Sequence, residues 1–334
     1  MVLCGCSPGR RLPAEQQLRR PHGLPCQAPG SRREVGGRVR NVKPEGRPPA
    51  TGATEHYRRR MSNAALTAQE HHLYMDAFET LTECVDCGYV DRHGGVFTAV
   101  THSPIALFNI LLVEEDDATP DDFASAIDAI AQVGVPYSTH LRRGIDDRMR
   151  PVVEASPMER SDVTVPGMVM EPVLDHDPPA GLEVRVGRHP DLFASHCDIV
   201  SEAFGIPLEL VATFMTDAFR EHPQVTFYLG LVGGEPVATS FGFRRGTAVT
   251  LFNVATREAH RRKGYGAAMT MLPAIGAERA FLQASQAGLP VYEGLGFRSI
   301  VEYEEWTAEP SSRARVRPER MPALWHPGGR WRRW

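Results

Sequence analysis

The chain has 334 residues, 42% hydrophobic and 23% charged, with a formal charge of −4, a composition that fits one large or two ordinary globular domains. No run of 18 apolar residues exists to span a membrane, and no apolar segment beside Met1–Arg10 reads as a signal peptide. Six cysteines (4, 6, 26, 84, 87 and 197) in so long a chain do not make a disulfide framework, and the compartment expected from them is the reducing cytoplasm.

The charge divides in three. Residues 1–60 carry a net +9, residues 61–309 a net −19 and residues 310–334 a net +6. The basic ends are rich in Pro and Gly without hydrophobic period, so 1–60 is expected to be a disordered leader and 310–334 a disordered tail. Of the 37 basic residues only Lys43 and Lys263 are Lys, the mark of GC-rich coding, and Met61 is the expected natural start. The acidic body argues against a nucleic-acid partner.

In chain order, apolar positions Leu66, Leu73, Ala77, Phe78 and Leu81 predict a helix. Short strands follow at 88–91 and 96–102, and the apolar run 106–113 reads as a buried strand. Thr119-Pro120 starts a helix to about Gln132. A strand at 137–141, a helix at 146–154 and a strand at 167–174 complete a first unit, 61–174. Residues 175–181 read as a linker.

The second unit, 182–309, repeats this order. A strand spans 182–188, helices 190–203 and 207–221, and a hairpin turns at Gly233-Gly234. Then come a strand at 250–256, a helix from Gly266 to Arg279, a strand at 280–285, a helix at 289–295 and a strand at 297–306. Leu107-Phe108-Asn109-Ile110 matches Leu251-Phe252-Asn253-Val254, and Pro151-Val152-Val153-Glu154 matches Pro290-Val291-Tyr292-Glu293. The fold class expected is α/β, with mixed sheets flanked by helices in two tandem units.

The chemistry concentrates in Arg261-Arg262-Lys263-Gly264-Tyr265-Gly266, between a buried strand and an Ala-rich helix. Two glycines let backbone approach a ligand, and amides at a helix start with three cations suit a polyphosphate. The P-loop pattern is absent, and Met269 stands where a dinucleotide fingerprint needs its third Gly.

Arg261-x-x-Gly264-x-Gly266 and the later Tyr292-x-x-Leu295-Gly296-Phe297 resemble the signatures of the GNAT superfamily of acetyl-CoA-dependent N-acetyltransferases. The resemblance covers about 182–306. It implies that Val254, Ala255 and Thr256 bond the pantetheine arm of acetyl-CoA through their backbone. It places the pyrophosphate on the amides of Arg262, Lys263, Gly264, Tyr265 and Gly266, with Arg261 at its edge. Tyr292 becomes the acid that protonates the departing thiolate, and Ser285 stands where many members hold the cofactor with Asn. The reaction implied is direct transfer of acetyl to an amine of a small molecule or peptide.

The residues leave other readings open. Tyr292 also fits a core aromatic, and a non-catalytic acyl-CoA-binding sensor shares the same loop. Glu209, Glu258 and His196 are candidate bases, as is a chain of water. In the first unit, six carboxylates in Glu114–Asp122 replace the basic loop and Val153 replaces Tyr292, so that unit resembles a GNAT half without a cofactor site. Cys84-x-x-Cys87 lacks the second pair a zinc site needs, and no metal is expected. No membrane partner is expected; the acceptor, the acyl-chain preference and the oligomeric state stay open.

Overall fold

The computed structural model describes residues 63–310; the expected leader and tail, and Cys4, Cys6 and Cys26, lie outside them. Helix α1 (Asn63–Glu83) leads to hairpin β1 (Tyr89–His93) and β2 (Val96–Val100), then β3 (Asn109–Val113), α2 (Pro120–Val133) and β4 (Tyr137–Arg142). After α3 (Arg150–Ala155) comes β5 (Glu159–Met170). The second segment runs β6 (Glu183–Gly187), α4 (Pro190–Phe204), α5 (Leu208–Val211), α6 (Asp217–Glu221), β7 (Val225–Val232), β8 (Glu235–Arg245) and β9 (Ala248–Thr256). It closes with α7 (Tyr265–Met271), β10 (Arg279–Gln283), α8 (Leu289–Leu295) and β11 (Arg298–Ala308).

All eleven strands form one mixed sheet in the order β1-β2-β3-β4-β11-β5-β10-β9-β8-β7-β6. The pairs β3/β4 and β9/β10 are parallel and the others antiparallel. The last strand of each segment crosses into the other. β11 pairs with β4, β5 pairs with β10, and β5 and β11 pair with each other at the centre. Helices α1 and α4 share one face, where Ala77 and Leu81 pack with Ile199, Val200 and the aromatics of β7 and β8. The opposite face carries α2 and α3 on the first segment, α7 and α8 on the second.

Local chemistry sets the boundaries. Thr119 caps α2 in a capping box with Asp122, and Gly134 ends the helix in the left-handed conformation. Four expectations need correction. Residues 106–108 form a 3-10 turn and the strand begins at Asn109. The helix expected over 207–221 is two short ones, because Thr216 accepts from the Phe219 amide and starts α6 anew. The helix expected to run to Arg279 stops at Met271, because Pro273 has no N–H to give the Met269 carbonyl; Ser240 Oγ donates to that carbonyl at 2.6 Å instead. The strand expected over 167–174 spans 159–170. Before Gly167 it has no contact with β10 and pairs with β11 alone, so this outer half is half-exposed and polar and carries no hydrophobic signal.

Since β11, the last strand of the second segment, is hydrogen-bonded to β4 and β5 of the first and lies between them, a chain ending at residue 297 is expected to lose cooperative unfolding throughout. Urea denaturation followed by circular dichroism reads this; a surviving cooperative transition refutes it.

Candidate active site

Strands β9 and β10 pair only over Ala248–Leu251 and Arg279–Leu282, after which they part. β9 continues to Thr256 with β8 as its partner, leaving residues 252–256 without a neighbour on the β10 side. A bulge at Asn253 and Val254 bends the strand here, with Asn253 at φ 51°. Val254, Ala255 and Thr256 therefore present the edge of a fork in the sheet. Buried backbone groups require partners, so such an edge invites a ligand.

The basic loop follows directly. Arg261 Nε donates to the Thr256 carbonyl at 3.2 Å, and Lys263 Nζ to the Ala259 carbonyl at 3.3 Å. Arg262 and Gly264 are both left-handed, at φ 60° and 81°. The side chains of Arg261, Arg262 and Lys263 are exposed, whereas the Tyr265 ring is buried against Val237, Ala238 and Met269. Tyr265 can therefore offer a ligand its amide and not its phenol. Gly264 caps α7 with no side chain, so the first amides of that helix are left without an internal acceptor. A Cβ on Gly266 would meet only Thr256 Oγ1, at 3.6 Å; the protein's own packing does not demand glycine there.

Tyr292 lies on α8 in the same apolar cluster as Leu251 and Leu282, the last paired residues of the two strands. Its ring packs edge-on to Phe297 at 6.1 Å, and burial pushes its phenol up to about 12. It also lies against Gly288, where a Cβ would come within 2.7 Å of the ring. Ser285 is exposed, and its Oγ accepts from the Gly288 amide at 3.2 Å, steadying the turn into α8.

The residues present fit acetyl-CoA on one independent observation. Asn109 and Asn253 occupy the same Leu-Phe-Asn tripeptide. Asn109 is fully employed, its Nδ2 donating to the Ser103 and Pro136 carbonyls at 2.7 and 2.8 Å and its Oδ1 accepting from the Thr101 amide. Asn253 Nδ2 is buried at the bulge with no partner, a cost that a ligand acceptor in the fork would remove.

The first segment's parallel pair is closed by its own side chains. At the end of β3, His71 Nε2 donates to the Val113 carbonyl at 2.8 Å and Arg142 Nη2 approaches it at 3.4 Å. Arg142 is buried and fixed by Asp146 through Nε and Nη2 at 2.8 and 2.9 Å. Breaking such a pair costs about 3–5 kcal/mol. The N-terminus of α2 is filled by its Thr119–Asp122 box, and Val153 is fully buried.

The three candidate bases lie on different elements. Glu209 and Glu258 are exposed on α5 and on the turn after β9. His196 is sealed among Phe193, Phe227 and Phe241, and burial lowers its pKa to about 3. Its Nδ1 donates to Thr239 Oγ1, whose own proton goes to the Tyr228 carbonyl, so Nε2 is left bare. The titratable group beside the fork is one the sequence reading passed over. Glu70 of α1 is 3% exposed, with Oε1 3.4 Å from Gln283 Nε2 and Oε2 bonded to the Tyr303 hydroxyl. The clue was its place between Leu66 and Leu73 on the buried stripe of the helix.

No helix of the described residues is long and apolar enough to cross a membrane, and among them no group of three His, Cys, Asp or Glu is placed to hold a metal. No protein-family model matches the chain, and no curated protein matches it. Among solved structures it is similar to a GCN5-related N-acetyltransferase from Kribbella flavida, with TM-score 0.57 and 18% identity over 74% of this chain and 96% of that one. It is also similar to a functionally unknown conserved protein from Staphylococcus epidermidis, with TM-score 0.53 and 9% identity over 67% of this chain and 95% of that one. The chain has the GNAT fold.

Two outcomes follow from the packing. Gly288→Val forces the Tyr292 ring off its site and is expected to cost about 2 kcal/mol in urea denaturation; an unchanged midpoint refutes the packing. Burial raises the Glu70 pKa from 4.5 to about 7. The folded chain therefore keeps a proton that the unfolded chain releases. That contribution is complete below pH 4.5 and is lost as pH rises through about 7. Glu70→Gln is expected to match the wild type at pH 4 and to exceed it by up to ~3 kcal/mol at pH 8; equal stability at both pH values contradicts the shift.

Proposed function

We propose that the β9/β10 fork is the acetyl-CoA site of an N-acetyltransferase, which moves acetyl to an amine by direct attack without an acyl-enzyme. The observation that carries this reading is the unpaired edge of β9 at 252–256 with the unpartnered amide of Asn253 on it. The GNAT fold makes a transferase the activity expected of such a fork. Acetyl-CoA, when bound, supplies an activated thioester.

The chain's residues supply the rest. Backbone groups of Val254, Ala255 and Thr256 hold the pantetheine arm in place of a strand. The amides of Arg262 to Gly266 receive the pyrophosphate, and the exposed cations of Arg261, Arg262 and Lys263 balance its charge. The Tyr292 phenol, protonated throughout the neutral range, donates its proton to the leaving sulfur. Residues 182–309, completed by β5, form the catalytic unit. Residues 61–174 form a GNAT-like unit whose own fork is closed by His71 and Arg142, so among the described residues one fork is open to a ligand. The setting is cytoplasmic, and the acceptor is a small-molecule or peptide amine.

Calorimetric titration of acetyl-CoA into the full chain tests the site. The wild type is expected to bind and Gly266→Val to fold normally while binding at least tenfold more weakly. No binding by folded wild type overturns the reading. Tyr292→Phe is expected to lower kcat about 10²-fold toward an acceptor found by amine screening, with acetyl-CoA affinity unchanged. An unaltered rate removes Tyr292 from the chemistry. The burial of its ring in the apolar cluster would then favour the acyl-CoA sensor reading.

A further inference from the structure

The fork has two faces, and only one is occupied by the residues assigned above. Leu282 and Ala284 point to the side of Tyr292 and α8. Phe281, between them and Arg279, packs instead on Leu66 and Leu73 of α1. By strand alternation Gln283, the last residue of β10, lies with Phe281 on the α1 side. It follows directly on Leu282, the last residue paired with β9, and is half-buried. Gln283 thus stands where the strands part, across the sheet from the phenol.

Glu70 fixes this amide. It lies against the backbone of β5, where a Cβ on Gly167 would come within 3.1 Å of its carboxyl; glycine there leaves the carboxyl its seat. The groups facing it are Gln283 of β10, Tyr303 of β11 and Arg142 of β4, with His71 and Tyr74 of α1 beside it. Beyond Tyr74 lie His140 of β4 and, bonded to it, Glu305 of β11. No Arg or Lys is ion-paired with Glu70 among the described residues.

Proton accounting sets the orientations. His71 Nε2 faces a carbonyl and must carry the ring hydrogen; burial holds His71 neutral, so Nδ1 is a bare acceptor. The Tyr303 hydroxyl, 3.1 Å from Nδ1, has one hydrogen to give. Every group is satisfied when Glu70 is protonated on Oε2 and donates to Tyr303, which donates to His71. Oε1 then accepts from Gln283 Nε2. When Glu70 ionises it remains an acceptor, so in both states the Gln283 nitrogen is turned toward Glu70 and its carbonyl oxygen is turned away.

We propose that Glu70, contributed by the first segment, is a positioning residue that turns the Gln283 carbonyl toward the acceptor side of the fork, where it receives an N–H of a cationic primary amine. This rests on the proposed transfer site and adds the class of acceptor and the residue that reads it. A carbonyl at this point accepts a charge-assisted N–H from an ammonium, which an alcohol matches only with a neutral hydrogen bond and a thiolate not at all. The first segment, closed to cofactor, then acts as the wall of the second segment's acceptor site.

The test uses n-butylammonium as probe, titrated by NMR into the full chain with saturating acetyl-CoA. Glu70→Gln copies the protonated acid, keeps the oxygen that accepts from Gln283, and is expected to bind the probe within twofold of wild type. Glu70→Leu and Gln283→Leu are expected to bind it at least tenfold more weakly, with acetyl-CoA affinity unchanged by calorimetry and melting followed as a control on folding. In the wild type the Gln283 side-chain amide signals are expected to shift on adding the probe. A wild type that holds acetyl-CoA but not the probe, a Gln283→Leu variant that binds it fully, or a Glu70→Gln variant as impaired as Glu70→Leu overturns the proposal. Loss of acetyl-CoA binding in the wild type instead refutes the transfer site itself.

Discussion

Parallel strands that part before they end leave a row of backbone donors and acceptors without a strand partner, and the sheet must satisfy them some other way. This chain meets the problem twice and solves it differently each time. At the end of β3 the protein uses its own side chains: His71 and Arg142 reach the Val113 carbonyl, and Asp146 holds the arginine. At the end of β9 Arg261 Nε reaches only the Thr256 carbonyl, and the neighbouring buried Asn253 amide is left unpaired. The segments thus differ in how far their own side chains supply the missing hydrogen bonds, and the flanking loops differ with them. The first is acidic and consumed by its own capping box, the second basic and opening on glycine.

Exchange of the closing strands holds both forks. β10 has β5 on its outer side and β4 has β11, so each parallel pair is braced by a strand from the other segment. β5 and β11 meet with two register shifts, between Ser299 and Val301 and between Glu304 and Trp306. At this joint α1 lays Glu70 and His71 on the sheet, joined by Tyr303. A buried carboxylic acid is expensive unless its hydrogen bonds are complete, and completeness here needs groups from α1, β10 and β11 together. The network therefore specifies how the segments register with one another, a role for which an apolar residue of equal size is no substitute.

Much of this was legible in the sequence. Periodicity and turn residues located most of the elements, and the spacing of Arg261, Gly264 and Gly266 marked the loop at a strand-to-helix junction. What escaped was non-local. The outer half of β5 has one strand neighbour, so half of it is solvated and its residues look like loop. The early end of α7 was legible in Pro273, but not that Ser240, far back in the chain, would take the carbonyl the proline abandons. The strand exchange has no sequence signature, since each segment carries the same elements whichever partner its last strand chooses. The tripeptide Leu-Phe-Asn was visible as a repeat. Its contrasting hydrogen bonding was not, because the partners of Asn109 lie six residues back and 27 residues on in the chain.

In the proposed reading, the placement of polar groups about the second fork gives the first segment a use. Tyr292 and the basic loop are on the α7/α8 face, while Glu70 and Gln283 are on the α1 face. On that reading an amine reaches the fork from the α1 face, opposite Tyr292, and that face is covered by a helix of the first segment. A segment that has closed its own fork is free to diverge in cofactor-binding residues, yet it stays constrained wherever it walls the other site. In the proposed reading the exposed acidic loop at Glu115–Asp117 then tolerates substitution without loss of transfer. Gly167 and Tyr303 do not, nor does Glu70 except to Gln, which keeps the oxygen that accepts from Gln283.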